Sequence, residues 1–190
     1  MADPRVLAFA GSARRDSFNK RLIRIAVQGA ESAGAKVTLI DLCDFSLPLF
    51  DQDCEAELGL PANAIALKKL FLDHAGLLIS APEYNSSITP LLKNTIDWVS
   101  RTAPGESSLA AYRGKAAALM SASPGALGGL RGLVHVRSIL SNIGVLVLPD
   151  QVAVPQAHDA FTEKGRLKDD KRQASVENLG RTLVDIVRKL

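Results

Sequence analysis

The chain alternates short apolar runs with segments in which apolar residues recur at helical spacing. The five runs have the length of strands rather than of helices: Val6–Ala10, Lys36–Leu42, Gly76–Ala81, Ala116–Met120 and Gly144–Leu148. The segments between them, such as residues 22–30, predict amphipathic helices. Because the runs are apolar throughout instead of alternating, both faces of each strand are expected to be covered. This pattern is typical of a parallel sheet between two helical layers.

Loops rich in small polar residues follow the first, third and fourth predicted strands, but not the second. They are Gly11–Asn19, Pro82–Ser87 and Ser121–Gly129. In an open parallel sheet, ligands bind beyond the carboxyl ends of the strands, where the strand order reverses. The order 2-1-3-4-5 brings these three loops together. We therefore predict an α/β fold in a single domain over residues 1–190, with a flavodoxin-like, doubly wound five-stranded parallel sheet and helices on both faces.

Proline positions predict where several elements begin and end. Pro61 and Pro90 suit the first position of a helix, and Thr89 is expected to cap the second of these helices. Pro149 is expected to interrupt the fifth strand, with residues 152–155 as a candidate continuation at the sheet edge. The segment from Cys43 to Pro61 is expected to be irregular, either a functional loop or a surface excursion.

The first loop has the composition of a phosphate site. It leaves a strand and enters a helix, so backbone N–H groups and the positive end of the helix dipole point the same way. Ser12, Ser17 and Asn19 add neutral donors, and Arg14 adds a charged one. The loop lacks the glycine motifs for dinucleotides and triphosphates, which favours a phosphate monoester bound without metal. The alternative is that Ser17 only caps the helix while the arginine is solvated.

The other two loops contain residues with two interpretations each. Glu83 is either a general base or a solvated carboxylate, and Tyr84 is either a ligand contact or a surface ring. The glycines at positions 125, 128 and 129 allow a close approach to a flat ligand, or they form a tight turn before a helix. Sequence alone leaves these alternatives open.

Bulk composition excludes several classes of protein. Hydrophobic residues make up 47% of the chain and charged residues 23%, as in soluble globular proteins. The net charge of +3 is too small and too evenly spread to predict nucleic-acid binding. No run reaches the roughly 20 apolar residues of a membrane span. No signal peptide is visible, so the expected location is the cytoplasm. Cys43 and Cys54 lack metal-ligand spacing, and we expect free thiols and no metal.

No group of residues suggests a nucleophile with its acid and base. Ser12, Ser121 and Ser123 have no histidine close in sequence. His74 lies at a helix end, where a cation would interact favourably with the helix dipole. A phosphate site without such groups indicates that a cofactor supplies the chemistry, so we expect no catalytic side chain.

Two motifs resemble those of the NADPH-dependent FMN reductase family. The first is Gly11-Ser12-x-Arg14-x-x-Ser17-x-Asn19. The second is Pro82-Glu83-Tyr84-Asn85-x-Ser87, followed by Leu92-Lys93-Asn94-x-Ile96-Asp97-Trp98. The resemblance extends over about residues 5 to 150, and the two motifs together are more specific than either alone. The chain departs from the family at Ile88-Thr89-Pro90-Leu91, where members often have Pro-Gly.

The resemblance implies FMN bound without a covalent bond, with NADPH or NADH as hydride donor. The residues that would contact the cofactor lie in all three loops: Ser12, Arg14, Ser17, Phe18, Asn19, Pro82, Glu83, Tyr84, Asn85, Ser121, Ser123 and Gly125. Those of the first loop would hold the phosphate. Those of the second would line the ribityl chain and the ring, and those of the third would approach the ring.

The resemblance also implies a homodimer or homotetramer, with the segment that carries Trp98 near the subunit interface. Hydride would pass from NAD(P)H to the flavin and then, in a ping-pong cycle, to quinones, azo dyes, chromate or free flavin. Arg101 is either a cation that faces the nicotinamide cofactor or a solvated residue at a helix end. Two alternatives are a flavodoxin-type electron carrier and a non-catalytic module that binds a phosphorylated metabolite. A pI of about 9.0 disfavours the carrier, because flavodoxins tend to be acidic.

Overall fold

A five-stranded parallel sheet forms the centre of the computed structural model, which describes residues 3–190. The strands of this sheet are β1 Arg5–Ala10, β2 Lys36–Asp41, β3 Gly76–Ser80, β6 Ala116–Ala122 and β7 Leu146–Val154. They lie in the order β2-β1-β3-β6-β7, and a separate antiparallel hairpin joins β4 Glu83–Tyr84 to β5 Ser87–Ile88. Counting only the strands of the sheet, this is the order 2-1-3-4-5, so the predicted flavodoxin-like topology is confirmed.

Seven helices connect and cover the strands within the described residues. They are α1 Phe18–Ser32, α2 Gln52–Leu58, α3 Ala62–Leu72, α4 Pro90–Ser100, α5 Leu130–Asn142, α6 Ala157–Ala160 and α7 Asp170–Val187. None of these helices is long and apolar enough to cross a lipid bilayer. Pro90 is the first residue of α4, and Thr89 caps that helix by accepting a hydrogen bond from the Leu92 N–H at 3.2 Å. Pro61 stands one position earlier than predicted, immediately before α3.

Alternate residues of the central strands enter two separate hydrophobic cores. Val6 and Ala8 of β1 face one core together with α1 and α7. Leu7 and Phe9 of the same strand face the other, together with α3, α4 and α5. All four side chains are buried. The central strands β1, β3 and β6 are therefore apolar almost throughout because both of their sides are covered, whereas the edge strands β2 and β7 are partly exposed.

Helices α1 and α7 approach each other closely at two glycines. A Cβ atom on Gly29 would lie 1.9 Å from the carbonyl oxygen of Glu177, and one on Gly180 would lie 2.1 Å from that of Ala26. Neither position has room for any side chain, so the two helix backbones are in direct contact. This contact fixes α1 on the sheet and holds its N-terminus at the carboxyl edge.

Pro149 interrupts the pairing of the fifth strand, and the strand continues beyond it at the sheet edge, as predicted. Strand β7 runs on to Val154 with a change of register: Val147 pairs with Ala117, whereas Gln151 pairs with Leu119. The proline lies in the unpaired bulge between these two pairs. Because β7 is an edge strand, the missing N–H of the proline does not break a ladder on both sides.

The segment between residues 43 and 61 is more regular than predicted. It contains the end of a 3-10 turn at residues 42–44 and the helix α2, which Asp51 caps by accepting from the Asp53 N–H at 2.8 Å. Helix α2 has no buried residue, so it lacks the apolar periodicity by which a helix is recognised in a sequence. Both cysteines, one in the 3-10 turn and one in α2, are free thiols as expected.

His74 is not the helix-end cation that its position suggests. Its Nδ1 donates to the Leu70 carbonyl at 2.6 Å, and its Nε2 lies 2.8 Å from the Thr38 hydroxyl. The ring is buried, and burial lowers the pKa of His74 below its usual value. The neutral imidazole therefore bridges α3 and β2 at the amino edge of the sheet.

Candidate functional site

The three loops meet in one cleft beyond the carboxyl ends of β1, β3 and β6. The cleft has a volume of about 60 Å³. Its walls contain residues of all three loops: Ser12, Arg14, Ser17, Phe18, Asn19, Pro82, Glu83, Tyr84, Ala122, Ser123 and Pro124. Nine of the twelve predicted contact residues thus lie together, while Asn85, Ser121 and Gly125 do not line the cleft. Ala122 and Pro124 were not predicted, because their side chains carry no chemical signal.

The first loop presents unpaired backbone donors at the start of α1. The Arg14 N–H reaches only the Ser12 hydroxyl at 3.4 Å, and the Asn19 N–H reaches the Ser17 hydroxyl at 3.2 Å. Within residues 3–190, the N–H groups of the loop that have no acceptor are those of Ser12, Ala13, Arg15, Asp16, Ser17 and Phe18. Helix α1 has no acidic residue in its first turn to satisfy them. Such an arrangement favours a bound anion.

Ser17 combines the two roles that the sequence left as alternatives. Its hydroxyl caps α1, as the helix-capping interpretation expects, and its side chain also lines the cleft. Arg14 is exposed, and its guanidinium lies 5.7 Å from the centre of the Phe18 ring. An exposed arginine held over an aromatic face at the mouth of the cleft remains available to an anionic ligand.

The Asn19 side chain makes three hydrogen bonds to other parts of the protein. Its Nδ2 donates to the Ala122 carbonyl at 2.8 Å, and its Oδ1 accepts from the Ala122 N–H at 3.0 Å and from the Ser80 hydroxyl at 2.8 Å. The side chain therefore joins α1 to the ends of β3 and β6. It shapes the cleft, and because its oxygen already accepts two hydrogen bonds, only the second hydrogen of its amide nitrogen remains for a ligand.

The Glu83 side chain is turned toward helix α5. Its Oε2 accepts from the Gly132 N–H at 2.9 Å, and its Oε1 lies 3.3 Å from the Arg131 guanidinium. The carboxylate thus satisfies an N–H at the positive end of α5, which begins without a side-chain cap of its own. A carboxylate used in this way is a structural group rather than a general base.

Asn85 and Tyr84 lie at the hairpin that borders the cleft. Asn85 and Ser86 both have positive φ, 49° and 67°, which is the conformation of a two-residue turn between antiparallel strands. Asn85 is exposed at this turn, away from the cleft, whereas Tyr84 lines the cleft with 48% of its surface exposed. The tyrosine ring is therefore accessible to a ligand or to another protein molecule.

The third loop uses most of its small residues for packing. A Cβ on Gly128 would lie 2.6 Å from the backbone of Val154, and one on Gly129 would lie 2.0 Å from the Ser121 hydroxyl oxygen. Both glycines have positive φ, 63° and 90°. A Cβ on Gly125 would make only an ordinary contact, 3.7 Å from the Ser123 hydroxyl oxygen. A side chain therefore has no room at positions 128 and 129, as expected for a tight turn before α5, and the approach of a flat ligand to these glycines stays a prediction.

Ser121 lies beneath the loop rather than in the cleft. Its side chain is fully buried, and its hydroxyl has no hydrogen-bond partner within the described residues. Ser123 instead lines the cleft, and its hydroxyl accepts from the Gly125 N–H at 3.3 Å. Gly125 thus stays next to the cleft through Ser123, without lining it.

Thr89 connects the first and second loops, a role that the sequence does not reveal. Beside capping α4, its hydroxyl donates to the Gly11 carbonyl at 2.6 Å. Gly11 is also in close contact with α4, since a Cβ there would lie 2.9 Å from that of Leu92. The start of the phosphate-type loop is thereby fixed to the helix that follows the second loop.

Trp98 and Arg101 do not line the cleft. Trp98 is completely buried and donates to the Pro48 carbonyl at 2.8 Å, so its own side chain is not exposed to a partner. The placement of its segment, residues 92–98, near a subunit interface stays a prediction. Arg101 donates to Glu55 at 2.8 Å and lies over the Phe50 ring. Both side chains hold the segment of residues 45–58 against α4.

The hydrogen-bond donors of the first loop fit the terminal phosphate of FMN. Several N–H groups, two hydroxyls and one arginine lie together at the start of α1, and the first turn of that helix has no acidic residue. The fold and the cleft together define a flavodoxin-like protein with an anion site at the carboxyl edge of its sheet. Similarity to a known protein family identifies the class of protein more specifically. Residues 4–159 match the model of the NADPH-dependent FMN reductase family.

Known proteins with similar sequences agree with this match. The chain is 34% identical over 189 residues to an NAD(P)H-dependent FMN reductase of Pseudomonas aeruginosa, covering 99% of the chain and 97% of that protein. It is 35% identical over 143 residues to a quinone reductase of Escherichia coli K12, covering 75% of the chain and 72% of that protein.

A solved structure is also similar over nearly the whole chain. It is FerB, a flavoenzyme NAD(P)H:(acceptor) oxidoreductase of Paracoccus denitrificans, with a TM-score of 0.81, 26% identity and 98% coverage of both chains. The chain belongs to the NADPH-dependent FMN reductase family. It is thus an oxidoreductase that uses FMN and a nicotinamide dinucleotide, as its motifs predicted.

Proposed function

We propose that this protein binds FMN in the cleft and transfers hydride from NADPH or NADH through it to a quinone or another small acceptor. The observation that carries this proposal is the set of unpaired N–H groups at the start of α1, which opens into a cleft bordered by the two other loops. A phosphate held there would direct the rest of FMN toward Pro82, Tyr84 and Ser123.

The protein's own residues would bind and orient the cofactor, since the described residues that line the cleft include no histidine, cysteine or lysine, and Glu83 is held by α5. FMN, when bound, supplies the capacity to accept and release hydride. Ser12, Ser17 and Arg14 would hold its phosphate, with Phe18 beside them. Asn19 and Glu83 act indirectly, because they fix the positions of α1 and α5 around the cleft. Positioning of this kind is the main contribution that a protein makes to hydride transfer.

A ping-pong order of reaction is consistent with the size of the cleft. A volume of about 60 Å³ is small for a three-ring cofactor, so one face of the ring would remain accessible at the surface. The donor and the acceptor would then occupy the same accessible face in turn. The quinone reductase of Escherichia coli suggests quinones as acceptors, and azo dyes, chromate and free flavin are further candidates.

We also propose that two or more copies associate beside the cleft. Three apolar side chains on and before α5 are exposed, Leu127 by 48%, Leu130 by 41% and Val134 by 57%. This apolar stripe adjoins the hairpin that carries Tyr84. Val134→Glu should shift the protein toward monomer in light scattering after gel filtration, whereas Val134→Ala should leave the oligomer intact. A wild-type protein that is monomeric at all concentrations would exclude this association.

An anaerobic half-reaction tests the main proposal. Purified protein is saturated with FMN, freed of excess, and mixed with NADPH or NADH while the flavin absorbance near its visible maximum is followed. We expect rapid bleaching, and recovery of the oxidised spectrum when benzoquinone is added. Initial rates at several fixed quinone concentrations should give parallel double-reciprocal lines.

Other outcomes would identify the alternative functions. A protein that binds FMN but stays oxidised for minutes with both nucleotides would be an electron carrier of the flavodoxin type. A protein that remains colourless after incubation with FMN would be a phosphometabolite-binding module. Intersecting lines would contradict only the ping-pong order, since both substrates would then bind together.

A further inference from the structure

A second and much larger groove begins at the mouth of the cleft. It has a volume of about 770 Å³ and lies between the first loop, the outer face of α1 and the turn of residues 163–166. Arg14, Ser17 and Phe18 line both the groove and the cleft, so the two spaces lie side by side. A volume of this size is in the range of small-molecule sites and greatly exceeds the space of one phosphate group.

The groove concentrates positive charge. Seven of its lining residues are cationic and only two, Asp16 and Glu163, are anionic; the cations are Arg14, Arg15, Lys20, Arg21, Arg24, Lys164 and Arg166. This local excess of five is larger than the net charge of +3 of the whole chain, so the remainder of the protein is net negative. A field of this kind attracts a ligand with several negative charges.

Some of these cations build the groove, and others remain available. Arg21 donates to the Thr162 carbonyl at 2.9 Å and lies 4.5 Å from the centre of the Phe161 ring, which holds the 163–166 turn beside α1. Lys20 pairs with Asp41 at 2.6 Å. Within residues 3–190, the side chains of Arg15, Arg24 and Lys164 are exposed and make no hydrogen bond or ion pair.

The charge arrangement is unfavourable without a ligand. The first turn of α1 carries Lys20 and Arg21 and no acidic residue, although the N-terminus of a helix favours negative charge. The phosphate of FMN would neutralise part of this charge near Ser17. The positive charges of Arg24, farther along α1, and of Lys164, on the opposite wall, would remain without a negative partner among the described residues. This arrangement of charge favours a second ligand that carries phosphate groups.

We propose that the groove binds the adenosine phosphates of NADPH, including the 2′-phosphate, and that the enzyme consequently prefers NADPH to NADH. The inference rests on the proposed function, in which the nicotinamide dinucleotide reacts in the adjoining cleft. NADPH differs from NADH by the 2′-phosphate alone, and arginine is well suited to bind such a group. Arg24 and Lys164, one on each wall, are the specificity-determining residues.

The test compares Arg24→Ala/Lys164→Ala with the wild-type protein, both loaded with FMN. We expect kcat/KM for NADPH to fall about tenfold or more, mainly through KM, because charge-assisted hydrogen bonds are lost. The kcat/KM for NADH should change less than about twofold, since it lacks the 2′-phosphate. By calorimetry, oxidised wild-type enzyme should bind 2′-phospho-ADP-ribose more tightly than ADP-ribose, and the double variant should bind the two alike.

Lys69→Ala is the matched control, since Lys69 is an exposed lysine on α3, in the helical layer on the other side of the sheet. It should alter neither nucleotide's kinetics. Equal losses for NADPH and NADH, or wild-type enzyme that does not distinguish the two ADP-ribose ligands, would overturn the inference. A further outcome would also overturn the inference: the wild-type protein binds an oligonucleotide tightly, the double variant does not, and the NADPH kinetics of the two are the same. The groove would then bind a different polyanion. Failure to oxidise either nucleotide would instead contradict the proposed function.

Discussion

The first and third loops look alike in the sequence, but they use their polar groups in different ways. Both follow an apolar strand, and both are rich in serine and small residues. In the first loop, most N–H groups remain without an acceptor in the described chain and surround the start of α1. In the third loop, Ser123 and the glycines at positions 128 and 129 are engaged within the protein. Among the described residues, six N–H groups of the first loop lack an acceptor, against three in the third loop, those of Ala126, Leu127 and Gly129, so the first loop is the stronger anion site.

The difference shows that small polar residues after a strand predict where a site lies and not which groups remain free in it. Whether a donor is free depends on the neighbours that the fold brings to it. Val154 and Ser121 fill the space beside the third-loop glycines, whereas most N–H groups before α1 meet no acceptor among the described residues. Substitutions in the two loops should therefore separate protein stability from cofactor affinity.

Gly129→Ala should have the largest effect on stability. The substitution combines a strained φ of 90° with an overlap between the new Cβ and the Ser121 hydroxyl oxygen. We expect the free energy of unfolding to decrease by about 2–4 kcal/mol in urea titrations followed by circular dichroism. Adding Ser121→Gly should recover part of this loss, because it removes the overlapping atom.

Gly125→Ala is the control within the same loop, since a Cβ there would make only an ordinary contact with the Ser123 hydroxyl oxygen, at 3.7 Å. It should change the free energy of unfolding by less than about 0.5 kcal/mol. Equal effects at positions 125 and 129 would contradict the assignment of the third loop to packing.

Arg14→Ala/Ser17→Ala should instead act mainly on the cofactor. We expect the FMN dissociation constant, measured by quenching of flavin fluorescence, to increase by an amount equivalent to about 1–3 kcal/mol. Ser17 also caps α1, so a loss of stability of about 1 kcal/mol should accompany it.

Asp169→Ala separates these two effects. Asp169 caps α7 by accepting from the Arg172 N–H at 3.0 Å, far from the cleft in the sequence and absent from its lining. This variant should lose stability through the same kind of cap without any change in FMN affinity. An unchanged FMN affinity in the first-loop variant would show that the phosphate binds elsewhere.

Glu83→Gln should have a moderate effect, and on stability alone. The substitution removes the negative charge from the N-terminus of α5 while retaining the shape of the side chain. The free energy of unfolding should fall by about 0.5–1 kcal/mol. The pH dependence of quinone reduction should stay unchanged, because the carboxylate transfers no proton. A large loss of activity at unchanged stability would indicate that Glu83 acts as an acid or base.

The pH dependence of stability should be the smallest effect, and it arises at the opposite edge of the sheet from both loops. Burial lowers the pKa of His74 in the folded protein, so the unfolded chain binds its proton at higher pH. Stability should be constant above the ordinary histidine pKa of about 6.5 and decrease as the pH falls below it. Unfolding titrations of His74→Gln should show a weaker decrease, and the exposed His158→Gln should behave as wild type.

The fold could be predicted largely because a strand that is buried on both faces of the sheet has consecutive apolar residues in its sequence. Residues such as Leu7 and Ala8 are apolar in succession because each faces a different core. Helix α2 has no apolar pattern by which it could be recognised, since none of its residues is buried. The bulge at Pro149 depends on pairing with β6, which local sequence does not specify. In the site, the partner of Glu83 is 49 residues away, so its structural role could not be read from its own loop.

The hydrogen bonds of Asn19 have a consequence for how the cofactor would enter and leave. They connect residues 103 positions apart and hold the start of α1 at the end of β6 with no contribution from a ligand. The apoprotein should therefore already have the shape of the complex, so that little conformational entropy is lost when FMN binds. Loss of the cofactor should likewise leave a folded protein that can be reloaded, which makes FMN an exchangeable component rather than a part of the folding core.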